Sequence, residues 1–182
     1  MNLSEVTQVR LLKEDFKKLP KKDHYKIIFL DKTNFISYEV DLKKIINHIK
    51  IDIPNWDESP DYQTITNRFK ADSHCLLFYY NNECVGWNWG NKNVCFDWIN
   101  IYQILQPHEA YVGGFFVTKS ANRPSDAGYY NYNMVIDYWF NNMGINKIYG
   151  YVDSWNKASI RIILQNNVKF YDYLDKNLFS YA

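Results

Sequence analysis

The last third of the chain, from Glu109 to Tyr173, contains the feature that most constrains the fold. Its residues predict the order strand, polar loop, helix, strand, helix, strand. The first strand ends at Val117, the first helix begins near Gly128, and Asn156 opens the second helix. The first backbone amides of a helix have no partners within it, so a helix N-terminus reached from a strand is suited to bind an anion. We therefore expect a site for an anionic ligand in this region.

Two consecutive glycines, Gly113 and Gly114, interrupt the strand at residues 109–117. Glycine inside a strand weakens it and often marks a bulge or a close approach of two backbones. We therefore predict a bulge at this point. Beyond the loop, apolar residues recur at helical spacing until Gly144, a residue typical of a helix end. These apolar residues are Tyr132, Ile136, Trp139, Phe140 and Met143.

The remaining apolar patterns predict strands and helices along the whole chain. Predicted strands cover residues 5–12, 26–30, 35–40, 74–80, 84–89, 145–152 and 168–174, with a short strand possible at 94–96. Predicted helices cover residues 41–50, a segment that begins at Ser59-Pro60, and residues 156–166. Asp41 would cap the first of these helices, and Leu164 would face inward on the last. The class is α+β or α/β, with a mixed sheet flanked by helices.

The composition limits the classes of function. A chain of 182 residues with 47% hydrophobic content is long enough for one domain with a buried core. The formal net charge of +1 gives little attraction to nucleic acid or to an anionic membrane. No apolar run reaches the roughly 18 residues of a membrane span, and the N-terminus lacks a signal-peptide pattern. The three cysteines have no metal-ligand spacing, so we expect reduced thiols in a cytoplasmic protein and no metal site.

Aromatic residues make up 18% of the chain. Exposed tyrosines and lysines could serve a single-stranded nucleic-acid binder, but the near-zero net charge counts against that function. Trp87 and Trp89 alternate on one face of their strand, and we interpret them as core residues rather than as a stacking platform.

Two motifs in the last third resemble those of the GNAT superfamily of acyl-CoA-dependent N-acyltransferases. The segment from Arg123 to Gly128 is similar to the family's diphosphate signature, and the segment that begins at Asn156 is similar to its later signature. The resemblance covers about half of the chain. It implies one domain over residues 1–182, with 1–73 on the acceptor side and 74–182 as the acyl-CoA-binding core. The implied fold is a mixed, mostly antiparallel central sheet flanked by helices, with a bulged fourth strand.

The resemblance also implies acetyl-CoA, or a related acyl-CoA, as the cosubstrate. Backbone amides of the loop and first helical turn would bind the diphosphate, and an arginine would add charge. The strand after the glycines would pair with the pantetheine arm as an added strand does, and the later motif would contact the arm. The residues implied for these contacts are Phe116, Val117, Arg123, Ser125, Asp126, Ala127, Gly128, Tyr129, Asn156 and Ser159.

The chain departs from the family pattern in three places. The later signature ends in Gly-Phe in the family and in Asn167-Val168 here, a conservative change because Asn tolerates the left-handed backbone geometry that glycine would take. Asp126 stands where the signature has its central glycine, and its charge could repel a diphosphate or could turn outward as a helix cap beside Ser125. Ile163 stands where many members have a tyrosine that protonates the leaving thiolate. Either another group such as Tyr129 or Tyr171 protonates the thiolate, or the thiolate leaves unaided, because its pKa is far below that of an amine.

The chemistry implied by the resemblance requires a group that accepts a proton from the attacking amine. Glu109 and Tyr111 lie at alternating positions of the bulged strand, so their side chains can face the same side. Glu109 is the first candidate base, and Tyr111 or a chain of waters is the second.

The function implied by the resemblance is transfer of a short acyl group from acyl-CoA to a primary amine by direct attack. The expected acceptor is a small molecule, with nucleotide-linked amino sugars among the candidates, and the expected assembly is a monomer or a homodimer. The alternatives are acylation of a protein or peptide amine, and a non-catalytic binding or regulatory module of the same fold. Asp126 and Ile163 favour the last alternative.

Overall fold

The structure is a computed structural model that describes residues 6–54, 60–92, 94–96, 102–119, 124–153 and 156–171. Within these residues the strands are β1 (Val6–Leu12), β2 (Tyr25–Leu30), β3 (His74–Tyr80), β4 (Glu83–Asn91), β5 (Val94–Phe96), β6 (Tyr102–Ile104), β7 (Glu109–Val117), β8 (Lys147–Asp153) and β9 (Lys169–Tyr171). The helices are α1 (Glu39–Asp52), α2 (Tyr62–Lys70), α3 (Ala127–Asn141) and α4 (Lys157–Gln165). The predicted class, α+β with a mixed and mostly antiparallel sheet flanked by helices, is confirmed.

The chain forms two compact units that alternate along the sequence. Unit 1 contains Met1–Leu19, Gly90–Gly113 and Tyr132–Ala182, and unit 2 contains Pro20–Trp89 and Gly114–Asn131. Strand β7 passes from unit 1 to unit 2 between its two glycines. The predicted division at residue 73 does not coincide with these boundaries, and the single domain remains a prediction.

In unit 1 the strand order is β7-β8-β1-β9. Strand β7 runs parallel to β8, with Glu109 opposite Lys147 and Tyr111 opposite Tyr149. Strand β1 pairs antiparallel with β8 on one side and with β9 on the other. The first strand of the chain therefore occupies an inner position, which its sequence pattern alone does not reveal. Strands β5 and β6 form a separate antiparallel pair.

In unit 2 the strand order is β2-β3-β4-β7. Strands β3 and β4 form the predicted hairpin, and Asn81 and Asn82 at its turn have positive φ angles of 48° and 64°. Positive φ at both central residues is the geometry of the turns that best match strand twist. Helices α1 and α2 pack on this sheet through a core that includes Trp87 and Trp89, so the core interpretation of these tryptophans is confirmed.

The predicted strand at residues 35–40 is wrong. Phe35–Tyr38 is a 3₁₀ turn that leads directly into α1 at Glu39. The Asn34 side chain accepts a hydrogen bond from the Asp31 backbone amide (3.0 Å), and Phe35 stacks on Phe69 with ring centroids 4.5 Å apart. This local turn and ring contact outweigh the β-propensity of the segment.

Two helix caps also differ from prediction. Asp41 lies inside α1 rather than at its N-cap. Helix α2 is capped by Asp61, whose side chain accepts from the Thr64 backbone amide (2.6 Å), whereas the predicted cap Ser59 lies outside the described residues. Leu164 of α4 is 56% exposed, so its predicted inward direction is wrong. The apolar face of α1 is buried as predicted, through Leu42, Ile45, Ile46 and Ile49.

Candidate active site

The glycine pair produces a local distortion in β7. Gly114 has a φ of +58°, a conformation that residues with a Cβ rarely adopt. A Cβ added at Gly113 would overlap the hydroxyl of Tyr111, so that hydroxyl lies directly against the glycine backbone. The φ of Gly114 restricts that position to glycine, whereas a side chain at position 113 would displace the Tyr111 hydroxyl that lies at the break.

The C-terminal half of β7 lies very close to β4. A Cβ on Gly86 would overlap the carbonyl oxygen of Phe116 and would lie 3.0 Å from the Cα of Val117. Phe116 and Val117 are half-buried, and the Thr118 amide donates to Val85 O (2.9 Å). Phe116 and Val117, the residues proposed to pair with the pantetheine arm, therefore contact β4 on one side of their backbone. Their contact with a ligand remains a prediction.

The loop after β7 is anchored to the end of α1. Asp52, the last residue of α1, accepts hydrogen bonds through Oδ2 from the Thr118 hydroxyl (2.8 Å) and the Lys119 amide (2.7 Å). Thr118 is completely buried. This anchor positions the start of the loop that leads to α3, and it was missed because 66 residues separate its partners.

Helix α3 begins at Ala127, one residue before Gly128, near which its start was expected. Ala127 and Gly128 are buried, Tyr129 is half-buried and Ser125 is exposed. The Asp126 carbonyl accepts from the Tyr130 amide (3.0 Å), which opens the helical hydrogen bonding. Arg123, the predicted source of charge for the diphosphate, lies outside the described residues.

Asp126 has partners for both carboxylate oxygens. Lys22 Nζ lies 2.9 Å from Oδ2, and the Tyr25 hydroxyl donates to Oδ1 at 3.0 Å. The hydrogen bond from Lys22 is the main cause that lowers the pKa of the Asp126 carboxyl, so Asp126 is an ionised and compensated charge. Lys22 also lies 3.9 Å from the centroid of the Tyr130 ring, and Tyr130 stacks on Tyr25. We call this the Asp126 cluster.

Glu109 lies at the start of β7 in a second cluster of the same type. Its Oε1 lies 3.2 Å from Lys147 Nζ and accepts from the Tyr149 hydroxyl at 3.0 Å. Its Oε2 accepts from the Gln106 backbone amide at 2.9 Å. Burial alone would raise the pKa of Glu109, but these hydrogen bonds and the Lys147 charge outweigh burial and lower it. We call this the Glu109 cluster.

A polar network continues from the Glu109 cluster across β8 and β1. The Arg10 guanidinium lies 5.6 Å from the centroid of the Tyr149 ring and donates through Nε to Gln8 Oε1 (2.7 Å). Gln8 Nε2 in turn donates to the Tyr151 hydroxyl (3.0 Å), and the Tyr151 ring lies 6.1 Å from that of Tyr111. Glu109 and Tyr111 therefore share one face of unit 1 with polar residues of β1 that the strand pattern did not single out.

The later motif opens α4 as predicted. Asn156 is the N-cap, and its Oδ1 accepts from the Ser159 backbone amide (3.1 Å). Asn167 at the far end has a φ of 60°, the geometry that the family's glycine would take. Ile163, at the position of the family tyrosine, is buried and has no hydroxyl. The side chain of Tyr171 lies outside the described part of the chain.

Cys75 and Cys84 are free and buried, and burial raises the pKa of the Cys84 thiol to about 12. Within the described residues, no group of three or more His, Cys, Asp or Glu side chains could hold a metal ion. In that same part of the chain, no helix is long and apolar enough to cross a membrane.

No protein-family profile and no curated protein matches the sequence. Solved structures do match. An aminoglycoside acetyltransferase from an uncultured soil metagenomic sample, in complex with trehalose, has a TM-score of 0.54 at 12% identity over 80% of this chain and 88% of that chain. A GCN5-related N-acetyltransferase from Kribbella flavida has a TM-score of 0.52 at 10% identity, covering 93% and 55%.

A tandem GNAT protein from the clavulanic acid biosynthesis pathway has a TM-score of 0.59 at 8% identity, covering 94% of this chain and 52% of that chain. The chain thus spans about half the length of this protein and of the Kribbella flavida protein. Because all these identities are low, the likeness concerns the fold. The chain has a GNAT-like fold.

Proposed function

We propose that the protein transfers an acetyl or other short acyl group from acyl-CoA to a primary amine. The observation that carries this proposal is the break in β7 at Gly113 and Gly114, followed by a loop that leads into the N-terminus of α3. This order places a distorted strand before a helix N-terminus, and these two elements suit an extended arm and a diphosphate. The structural neighbours include acetyltransferases of the same fold.

The Asp126 cluster supports a diphosphate site despite the departure from glycine. The carboxylate is bound by Lys22 and Tyr25, so its negative charge is compensated. Lys22 is about one-third exposed and carries a positive charge beside the start of α3. We therefore propose diphosphate binding by the backbone from Ser125 to Tyr129, with Lys22 cancelling the repulsion from Asp126.

The proposed reaction is direct. The neutral amine nitrogen forms a bond to the thioester carbonyl carbon, the carbon–sulfur bond breaks, and the amine proton ends on the released thiol. A backbone amide at the β7 break would stabilise the oxyanion. Asn156 and Ser159 are proposed to contact the arm.

Two residues remain candidates for proton transfer. The Glu109 carboxylate is ion-paired and has a lowered pKa, which makes it a weak base at neutral pH. The Tyr111 hydroxyl lies against the backbone of Gly113, where the thioester is proposed to lie. We therefore propose that Tyr111, directly or through a water, takes the larger part and that Glu109 positions Tyr149 and the polar face.

The acceptor is proposed to be a small amine. One structural neighbour is an aminoglycoside acetyltransferase solved in complex with sisomicin. On one face of unit 1, the half-buried side chains of Arg10 and Tyr151 are proposed to contact a polar acceptor, while the buried Gln8 links them through hydrogen bonds. Nucleotide-linked amino sugars and protein amines are the competing acceptor classes.

A thiol-release assay with acetyl-CoA tests the proposal. The acceptor panel contains amino sugars, nucleotide-linked amino sugars, polyamines and peptides, and acetyl-CoA binding is measured separately by calorimetry. We expect saturable binding and thiol release with at least one small amine. Absence of binding at millimolar acetyl-CoA would refute the proposal.

A non-catalytic module of the same fold is the second candidate. The buried Ile163 in the position of the family tyrosine favours it, since no hydroxyl is available there. This candidate predicts saturable CoA binding without thiol release for any acceptor. In an enzyme, exchange of Tyr111 for Phe lowers turnover by about a hundredfold and leaves CoA binding unchanged.

A further inference from the structure

Helix α3 contains two buried asparagines that differ in their hydrogen bonding. Asn133 accepts from the Leu19 amide (2.9 Å) and donates to Lys17 O (2.9 Å) and to Asn166 Oδ1 (2.9 Å). Asn131 is completely buried, and among the described residues neither its Nδ2 nor its Oδ1 has a hydrogen-bond partner. A buried amide without partners is costly, so the satisfied Asn133 is the ordinary case and Asn131 requires an explanation.

The position of Asn131 directs its side chain toward the start of α3. Side chains of a helix lean toward its N-terminus and cover the turn before their own residue. The residues three and four positions earlier are Gly128 and Ala127, both buried and both small. From this geometry we infer that the carboxamide of Asn131 lies over the first turn of α3, beside these two small residues.

A carboxamide without partners offers one acceptor oxygen and two N–H donors. A phosphate would use only the donors and leave the oxygen unpaired. A secondary amide has one N–H and one C=O, so it can satisfy both sides of the asparagine at once. The partner that best matches Asn131 is therefore an amide group that enters beside the first turn of α3.

We propose that Asn131 binds an amide of the pantetheine arm of acyl-CoA and is held without partners until the ligand enters. This inference rests on the proposed acyl-CoA-binding function and assigns a specificity-determining residue to it. The arm of CoA carries two secondary amides, whereas adenosine 3′,5′-bisphosphate has the phosphate groups and none of the arm. The two ligands therefore separate contacts to the arm from contacts to the nucleotide.

Calorimetry with Asn131→Ala tests the assignment. We expect CoA affinity to fall about tenfold, the effect of one to two hydrogen bonds, while affinity for adenosine 3′,5′-bisphosphate stays within twofold. Asn133→Ala is the matched control: it removes a satisfied buried amide, so we expect a lower melting temperature and an unchanged ratio of the two affinities. An unchanged ratio in the Asn131 variant would overturn the proposal and would indicate that a buried water satisfies the side chain.

A measurement on the unaltered protein does not depend on how the variants fold. The side-chain NH₂ signals of Asn131, assigned by their loss in the variant, are followed by ¹⁵N NMR. We expect CoA to shift these signals and adenosine 3′,5′-bisphosphate to leave them in place. If CoA binds and the signals stay in place, the Asn131 assignment alone is refuted, whereas absence of CoA binding refutes the assignment together with the proposed function.

Discussion

The Glu109 and Asp126 clusters have the same composition, a carboxylate bound by one lysine and one tyrosine, but they differ in burial. The Glu109 side chain is 14% exposed and also accepts a backbone amide, whereas the Asp126 side chain is 39% exposed. Both carboxyl groups have a lowered pKa. The same three residue types therefore form one enclosed cluster and one partly exposed cluster.

This difference in burial determines whether a cluster contributes chiefly to stability or to ligand binding. Glu109 is enclosed by its partners, so its ion pair chiefly stabilises the folded unit 1. Asp126 stands at the start of α3 beside a partly exposed lysine, where solvent weakens the contribution of the pair to stability. The charge of Asp126 instead affects the binding of an anion at the start of α3. We therefore expect changes in the Asp126 cluster to alter binding, and changes in the Glu109 cluster to alter stability.

The largest expected effect follows removal of Lys22. Lys22→Met leaves the Asp126 charge uncompensated beside the proposed diphosphate, and we expect acetyl-CoA affinity measured by calorimetry to fall about 30-fold, in the range of close charge couplings. Replacing Asp126 by Gly in the same protein should restore most of the affinity, because the repulsion is then absent.

Lys21→Met is the matched control for Lys22. Lys21 is highly exposed and lies 3.8 Å from the equally exposed Asp23, so we expect little change in affinity. If the effects of Lys22→Met and Asp126→Gly are simply additive, the two charges do not act together on the ligand, and the proposed role of the Asp126 cluster is lost.

Asp126 and Lys22 also show which features of the site a local sequence pattern cannot predict. The motif spacing identifies Asp126, but Lys22 lies 104 positions earlier in a lysine-rich stretch that carries no motif. Local patterns predicted the break in β7, the start of α3 and the cap at Asn156, because each depends on residues within a few positions. The inner position of β1 and the partners of both carboxylates depend on tertiary pairing, which no local pattern contains.

A smaller effect is expected from Lys147 in unit 1. Lys147→Met removes the ion-pair partner of a mostly buried carboxylate, and we expect the free energy of unfolding to fall by about 1 kcal/mol, measured by urea denaturation. Lys169→Met is the control, because Lys169 is 59% exposed in its pair with Asp15 and should change stability by less than ~0.5 kcal/mol. Equal losses in both variants would contradict the distinction by burial.

The smallest expected effect is the pH dependence of the Glu109 contribution. Because the pKa of Glu109 is lower in the folded protein than its ordinary value of 4.5, its ionised form stabilises the fold above that value. The contribution is lost as the pH falls through the folded pKa. We therefore expect Glu109→Gln to lower the melting temperature at pH 7 and the difference from the unaltered protein to shrink as the pH falls through the folded pKa of Glu109. A difference that persists unchanged at pH 3 would mean that the packing of the Glu109 side chain, and not its charge, produces the stability. The charge of Glu109 would then not distinguish the two clusters.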